Sequence, residues 1–241
     1  MDPIKEALTF DDVTLAPNYS EILPSEVKTE VKLSKHLNIS IPLLTSAMDT
    51  VTESNMAISI GKKGGIGVIH RNLSINDQIK EIRKVKSKKM LVGAAVGASL
   101  NEHIRAQKVL KENIDLIVVD TAHGHTKKVA EIIKKIKKIK PTKTALCAGN
   151  IATAEAAKFL IKQGVDIIKV GIGPGSICTT RLVAGIGVPQ LSAILSVRNG
   201  IKNKKVKIIS DGGIKFSGDL AKAFAAGADA VMIGSLFAGT N

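Results

Sequence analysis

Residues 116–151, LIVVDTAHGHTKKVAEIIKKIKKIKPTKTALCAGNI, contain one complete unit of the architecture that this chain repeats. One apolar run begins at Leu116 and a second begins at Ala145. Between them, over His125–Lys140, apolar residues recur at helical spacing and form one stripe: Val129, Ile132, Ile133, Ile136 and Ile139. The stretch therefore predicts a strand, a polar loop, an amphipathic helix and a second strand parallel to the first.

The same rhythm extends over most of the chain. Short apolar runs begin near Ile41, Ile66, Leu91, Leu116, Ala145, Ile167, Val206 and Ala230. Strands that alternate with helices predict an α/β fold with a parallel sheet, and eight of them favour a closed TIM (β/α)8 barrel. An open doubly wound sheet is the alternative. A Rossmann dinucleotide-binding domain is disfavoured because no GxGxxG motif follows the first strand.

Local motifs predict where several helices begin and end. Thr50–Glu53 has the spacing of a capping box, and Ser74–Ser87 has the apolar period of a helix. Gly64, Gly164 and Gly227 each follow a helical stretch, where a left-handed residue is favoured.

Two features depart from a regular barrel. The longest interval between strands, from Ile167 to Val206, contains the surplus segment Gly171–Gln190. The chain also stops at Asn241, soon after the eighth strand, so we expect a barrel that lacks its final outer helix. The expected organisation is a single domain over residues 1–241 that is truncated at its C-terminus.

The bulk composition restricts the partners and the compartment. The chain is 44% hydrophobic and 23% charged, with a net charge of +14. The lysines fall mainly on predicted helix faces without interleaved aromatic residues, so nucleic acid is not expected as the main partner. Two cysteines make neither a disulfide framework nor a zinc motif. No secretory signal is visible and no apolar run approaches the roughly 18 residues of a membrane span, so we expect a cytoplasmic enzyme without membrane contact.

Polar and glycine residues gather where the predicted strands end, which is the functional face of such a barrel. They are Ser46, Met48 and Asp49, then His70, Asp120–Gly124, Ala148–Asn150, Ser210–Gly213, and Gly234 with Ser235. Glycines after the last two strands let backbone N–H groups approach an anion, and Ser176 and Ser235 add hydroxyl donors. These clusters predict a phosphate site.

Three kinds of side chain could carry chemistry beside that phosphate site. Cys178 lies on a glycine-rich loop near Arg181, a setting that favours a reactive thiolate, whereas Cys147 lies within an apolar run and is predicted to be a buried core residue. Asp120 and Asp211 each end a strand, where they could bind ligand hydroxyls or cap the next helix. The histidines at 123 and 125 are either acid–base groups or residues of the helix start.

These motifs resemble IMP dehydrogenase over Leu8–Thr240. The matching segments are Leu8–Val13, Ser46–Glu53, Gly64–Gly67, Asp120–His125 and Gly171–Arg181. GMP reductase is similar in the cysteine loop, but Asp120–His125 and the continuation Leu182–Gln190 look like the dehydrogenase.

The resemblance implies a two-stage oxidation in guanine nucleotide synthesis. The Cys178 thiolate would add to C2 of the hypoxanthine ring of IMP, and hydride would pass to NAD⁺. The covalent intermediate would then be hydrolysed to XMP, with Thr180 implicated in activating water.

The resemblance also implies three sets of binding residues. IMP would contact Ser46, Met48, Asn150, Lys169, Ser176, Asp211, Gly212, Gly213, Gly234 and Ser235. NAD⁺ would contact Asp120, Thr121, Gly171 and Gly173. A monovalent cation, K⁺, would be held by the carbonyls of Gly173, Gly175 and Cys178.

Two departures from the family pattern shape the expectations. Val85–Met90 joins the second helix directly to the third strand, so the paired CBS regulatory modules of the family should be absent between residues 85 and 91. The family's mobile flap would lie beyond Asn241, so we expect impaired turnover. The family also implies a homotetramer. GMP reductase and a non-catalytic binding module remain the competing hypotheses.

Overall fold

The computed structural model describes residues 6–175, 180–201 and 205–240, and its centre is a closed barrel of eight parallel strands. A small antiparallel pair, β1 (Val31–Lys32) and β2 (Asn38–Ile39), precedes it. The barrel strands are β3 (Leu43–Thr45), β4 (Ile66–Ile69), β5 (Val92–Val96), β6 (Leu116–Asp120), β7 (Ala145–Ile151), β8 (Ile167–Val170), β9 (Lys207–Asp211) and β10 (Ala230–Ile233). The parallel pairing of β10 with β3 closes the ring, which confirms the TIM barrel and rules out the open sheet.

Helices alternate with the strands as the sequence predicts. They are α1 (Ser54–Lys62), α2 (Ile75–Ser87), α3 (Glu102–Leu110), α4 (Lys127–Ile139), α5 (Ala154–Gln163), the short α6 (Thr180–Val183), α7 (Gln190–Gly200) and α8 (Ser217–Ala225). The apolar stripe of α4 is buried except at its last member, Ile139, which is 46% exposed. Within the described residues, turns follow β10.

The capping box predicted at Thr50–Glu53 is wrong. Helix α1 begins at Ser54, so Glu53 is the N-cap residue itself and its side chain makes no cap hydrogen bond. The Ser54 N–H donates to Glu81 Oε2 of α2 at 2.8 Å. A residue distant in sequence thus takes the place of the local cap.

Other helix ends follow the local chemistry. Ser74, Thr126 and Thr153 accept a backbone N–H at the starts of α2, α4 and α5. Gly64, Gly164 and Gly227 have positive φ angles of 92°, 83° and 106°, which confirms the predicted left-handed ends.

Alternate residues of the strands supply two apolar layers. On β6, Val118 belongs to the cluster that also contains the hairpin residues Leu33 and Leu37, whereas Ile117 and Val119 pack in the cluster that includes the helices. Branched aliphatic residues fill both layers because parallel strands are covered on both faces. Among the described residues, no helix combines the length and the apolar character needed to cross a membrane.

A candidate nucleotide site at the carboxyl ends of the strands

A cavity of roughly 230 Å³, the rim cavity, opens at the carboxyl ends of the barrel strands. Its lining comprises Ser46, Met48, Asn150, Gly171, Gly173–Gly175, Asp211–Ile214 and Met232–Ser235. Eight of the ten residues expected to contact IMP therefore meet here: Ser46, Met48, Asn150, Asp211, Gly212, Gly213, Gly234 and Ser235. They come from strand ends far apart in sequence, which the barrel brings to one face.

A second cavity of about 290 Å³, the side cavity, adjoins the first and shares Asn150, Gly171 and Asp211 with it. All four residues expected to contact NAD⁺ line it, namely Asp120, Thr121, Gly171 and Gly173. Thr180 and Lys169 line it as well. The two groups of predicted binding residues thus line adjoining cavities that share part of their walls.

Ser176 and Cys178 lie outside the described residues. The described chain stops at Gly175, which lines the rim cavity, and resumes at Thr180, which lines the side cavity. Both ends of this interval therefore lie at the candidate site. Of the three residues expected to hold K⁺, Gly173 and Gly175 are described and line the rim cavity.

The turn after β9 requires glycine. Gly212 and Gly213 have φ angles of 90° and 79°, which L side chains rarely adopt. With no side chain at either position, the backbone of this turn can face the rim cavity directly, as a phosphate site needs.

Lys169 of β8 lies between two carboxylates rather than in the rim cavity. Its side chain is 3% exposed, and Nζ lies 2.8 Å from Asp120 Oδ1 and 2.5 Å from Asp211 Oδ2. Burial lowers the pKa of the ammonium, but the charges of Asp120 and Asp211 and their hydrogen bonds outweigh burial and raise it. Lys169 is therefore held in its charged form.

In the side-chain amide of Asn150, the nitrogen has hydrogen-bond partners, whereas the oxygen has none among the described residues. Nδ2 donates to the Gly171 carbonyl oxygen at 2.7 Å and to Asp211 Oδ2 at 2.9 Å. Oδ1 is buried and has no hydrogen-bond partner within the described part of the chain. A buried acceptor beside a cavity suits a ligand that brings a donor.

Gln190, at the start of α7, was not singled out from the sequence. Its buried Nε2 lies 2.8 Å from the Val170 carbonyl oxygen and 3.0 Å from Ser210 Oγ. It therefore connects the ends of β8 and β9 beneath the site. A single glutamine after a proline gives no pattern that would identify this role.

The histidines proposed from the sequence as possible acid–base groups lie away from the cavities. His123 and His125 are exposed, and the His125 ring lies 4.8 Å from the Phe159 ring. Neither lines the rim or side cavity in the described residues. The same residues contain no group of three His, Cys, Asp or Glu side chains that could hold a metal ion.

Comparison with known proteins agrees with this geometry. The model of the IMP dehydrogenase / GMP reductase domain matches residues 7–241. Inosine-5'-monophosphate dehydrogenase of Borreliella burgdorferi is 48% identical, over 98% of this chain and 71% of the relative. Inosine-5'-monophosphate dehydrogenase of Cryptosporidium parvum is 42% identical, and the alignment covers 99% of this chain and 69% of that relative. The chain belongs to the IMP dehydrogenase / GMP reductase family.

Proposed function

We propose that this chain oxidises IMP to XMP with NAD⁺ in guanine nucleotide synthesis. The supporting observation is the rim cavity, in which glycine-rich turns, a carboxylate and an amide oxygen without a partner among the described residues converge. Glycine turns suit a phosphate, Asp211 suits ribose hydroxyls, and Asn150 Oδ1 suits a donor on the bound nucleotide.

Cys178 is the proposed nucleophile. Its thiolate forms a bond to C2 of the hypoxanthine ring, and the tetrahedral carbon then loses hydride. Water attacks C2 in the second stage, the C–S bond breaks, and the thiolate leaves with release of XMP. Thr180, which lines the side cavity, is proposed to help activate that water.

NAD⁺ supplies the hydride acceptor, and the side cavity is its proposed location. Asp120 provides an acceptor for ribose hydroxyls beside Thr121, while Gly171 and Gly173 leave room where the two cavities meet. The carbonyls of Gly173, Gly175 and Cys178 are the proposed K⁺ ligands, since carbonyl oxygens suit a large and weakly hydrated cation.

We also propose a single barrel without CBS modules that assembles as a cytoplasmic homotetramer. In support, α2 ends at Ser87 and β5 begins at Val92, which leaves only a short connection between them. Inosine-5'-monophosphate dehydrogenase of Staphylococcus saprophyticus is 36% identical to this chain. The alignment of the two runs over 364 positions, whereas this chain has 241 residues. That relative therefore has residues within the aligned region that this chain lacks.

Rapid mixing with IMP and NAD⁺, followed by NADH absorbance, tests the proposed oxidation. We expect a burst of NADH close to one per active site, and no burst from Cys178→Ser. A burst that is not followed by steady NADH formation would indicate that hydrolysis of the covalent intermediate is slow. Consumption of NADPH with GMP, without NADH formation from IMP, would instead identify a GMP reductase.

A further inference from the structure

One buried ammonium joins the two halves of the candidate site. Lys169 projects from β8, whereas Asp120 ends β6 and Asp211 ends β9. The lysine side chain is 3% exposed, and the aspartates are 29% and 17% exposed. Each carboxylate lines the side cavity, and Asp211 also lines the rim cavity, so a single cation lies between the two predicted ribose-binding groups.

The charges around Lys169 leave it little freedom. Asp120 and Asp211 are its ion-pair partners, the Cys147 thiol of β7 lies close enough to interact with its charge, and Arg71 lines the same cavity. Asp211 Oδ2 also accepts a hydrogen bond from Asn150. Because the Lys169 ammonium already pairs with two carboxylates, it has few N–H donors left for a ligand. A role in positioning these carboxylates therefore fits Lys169 better than direct contact with the substrate.

Removal of the ammonium would leave two carboxylates face to face. The bonded oxygens lie 2.8 Å and 2.5 Å from Nζ, so they are at most about 5.3 Å apart, close enough for like charges to affect each other's ionisation. In such a pair one group keeps its proton at a pH where an isolated carboxyl is ionised. A protonated carboxyl is a poorer acceptor for ribose hydroxyls than a carboxylate.

We infer that Lys169 is a positioning residue, which holds the side chains of Asp120 and Asp211 in place and balances their charge so that both nucleotides meet carboxylate acceptors. This inference rests on the proposed function and assigns to Lys169 a role distinct from the IMP contact expected from the sequence. It acts through Asp120 and Asp211.

The test is the affinity for IMP, measured by titration calorimetry with the whole chain between about pH 7 and pH 8, where the phosphate is essentially a dianion. For the wild type, we expect an affinity that changes little over this range. For Lys169→Met, we expect affinity at least tenfold lower near pH 7, with partial recovery as the pH rises. Lys169→Arg should restore the flat profile, because it returns a cation to the same place.

Two further variants separate positioning from folding. Lys207→Met removes a lysine that pairs with Asp229 at 2.9 Å at the start of β9, and Arg198 remains there to pair with Asp229. This control should bind IMP like the wild type. The double variant Lys169→Met with Asp120→Asn removes the like-charge pair, so its profile should be flat again even if the single variant folds poorly.

The outcomes are distinguishable. If Lys169→Met binds IMP as tightly as the wild type, and its affinity changes as little with pH, the proposed role of Lys169 is wrong while the proposed function stands. A pH dependence that persists in the double variant would also overturn it. If the wild type binds no IMP, the proposed function itself fails and the inference fails with it.

Discussion

Of the two cysteines in this chain, only Cys147 lies within the described residues. Cys147 is fully buried among the aliphatic residues inside the barrel. Burial raises the pKa of its thiol to about 12, although the nearby charge of Lys169 lowers it in part. Because the thiolate is the nucleophile, Cys147 is unreactive near neutral pH. The sequence predicted this from the apolar neighbours of Cys147 alone.

Alkylation should therefore distinguish the two cysteines. Brief treatment of the native chain with iodoacetamide near neutral pH is expected to label Cys178 and leave Cys147 unmodified, as read by peptide mass spectrometry. In guanidinium both should react. Cys178→Ser is the matched control and should take up no label while folded; equal labelling of both native thiols would contradict the assignment.

Ionisation of the Cys147 thiol should also lower the unfolding free energy of the chain at alkaline pH. Its pKa is raised from 9.0 to about 12 in the folded chain, so its contribution is complete below about pH 9 and is lost as the pH rises towards 12. Between these values the unfolding free energy should decrease by up to about 1.4 kcal/mol per pH unit from this group. In denaturant unfolding at several pH values, the unfolding free energy of Cys147→Ala should decrease less per pH unit than that of the wild type. An equal decrease per pH unit would contradict the assignment.

At the level of elements, the start of α1 depends on its neighbour α2. The Glu81 carboxylate accepts the Ser54 N–H and pairs with Lys84 at 2.5 Å. Burial raises the pKa of Glu81, but these hydrogen bonds and the charge of Lys84 outweigh it and hold the pKa below 4.5. The helix therefore begins with a cap supplied by another helix.

Glu81→Ala should lower the unfolding free energy by about 1–2 kcal/mol, the usual cost of a lost helix cap. The contribution should be complete above about pH 4.5 and should disappear on acidification below it, since the folded pKa is depressed. Urea unfolding measures both effects. Glu131→Ala on the exposed face of α4 is the control, and a similar loss there would contradict the cap.

The sequence predicted the elements well because their determinants are local. Predicted strand starts at Leu116, Ala145 and Ile167 coincide with those observed, and the predicted start at Ile41 lies two residues before β3. The capping box failed because α1 begins at Ser54, which places Glu53 at the N-cap rather than in the first turn, with no cap hydrogen bond from its side chain. No local pattern could have shown that Glu81 takes its place.

At the scale of the whole molecule, barrel closure determines which residues meet. The eight-strand count and the rule that function lies at the carboxyl ends were enough to predict one shared face for most of the site residues. They did not predict that Lys169 would pair with Asp120 and Asp211, because that contact depends on the relative register of β6, β8 and β9. The hydrogen bonds by which Gln190 joins the ends of β8 and β9 could not be predicted from the sequence for the same reason.

We propose that this barrel presents Cys178 to a bound nucleotide. Mass spectrometry of the chain quenched in acid after mixing with IMP and NAD⁺, followed by peptide mapping, tests it most directly. We expect a nucleotide adduct on Cys178 that requires both IMP and NAD⁺ and is absent from Cys178→Ser. No adduct on Cys178 at any time after mixing, even though IMP is bound, or an adduct that survives in Cys178→Ser, would contradict it.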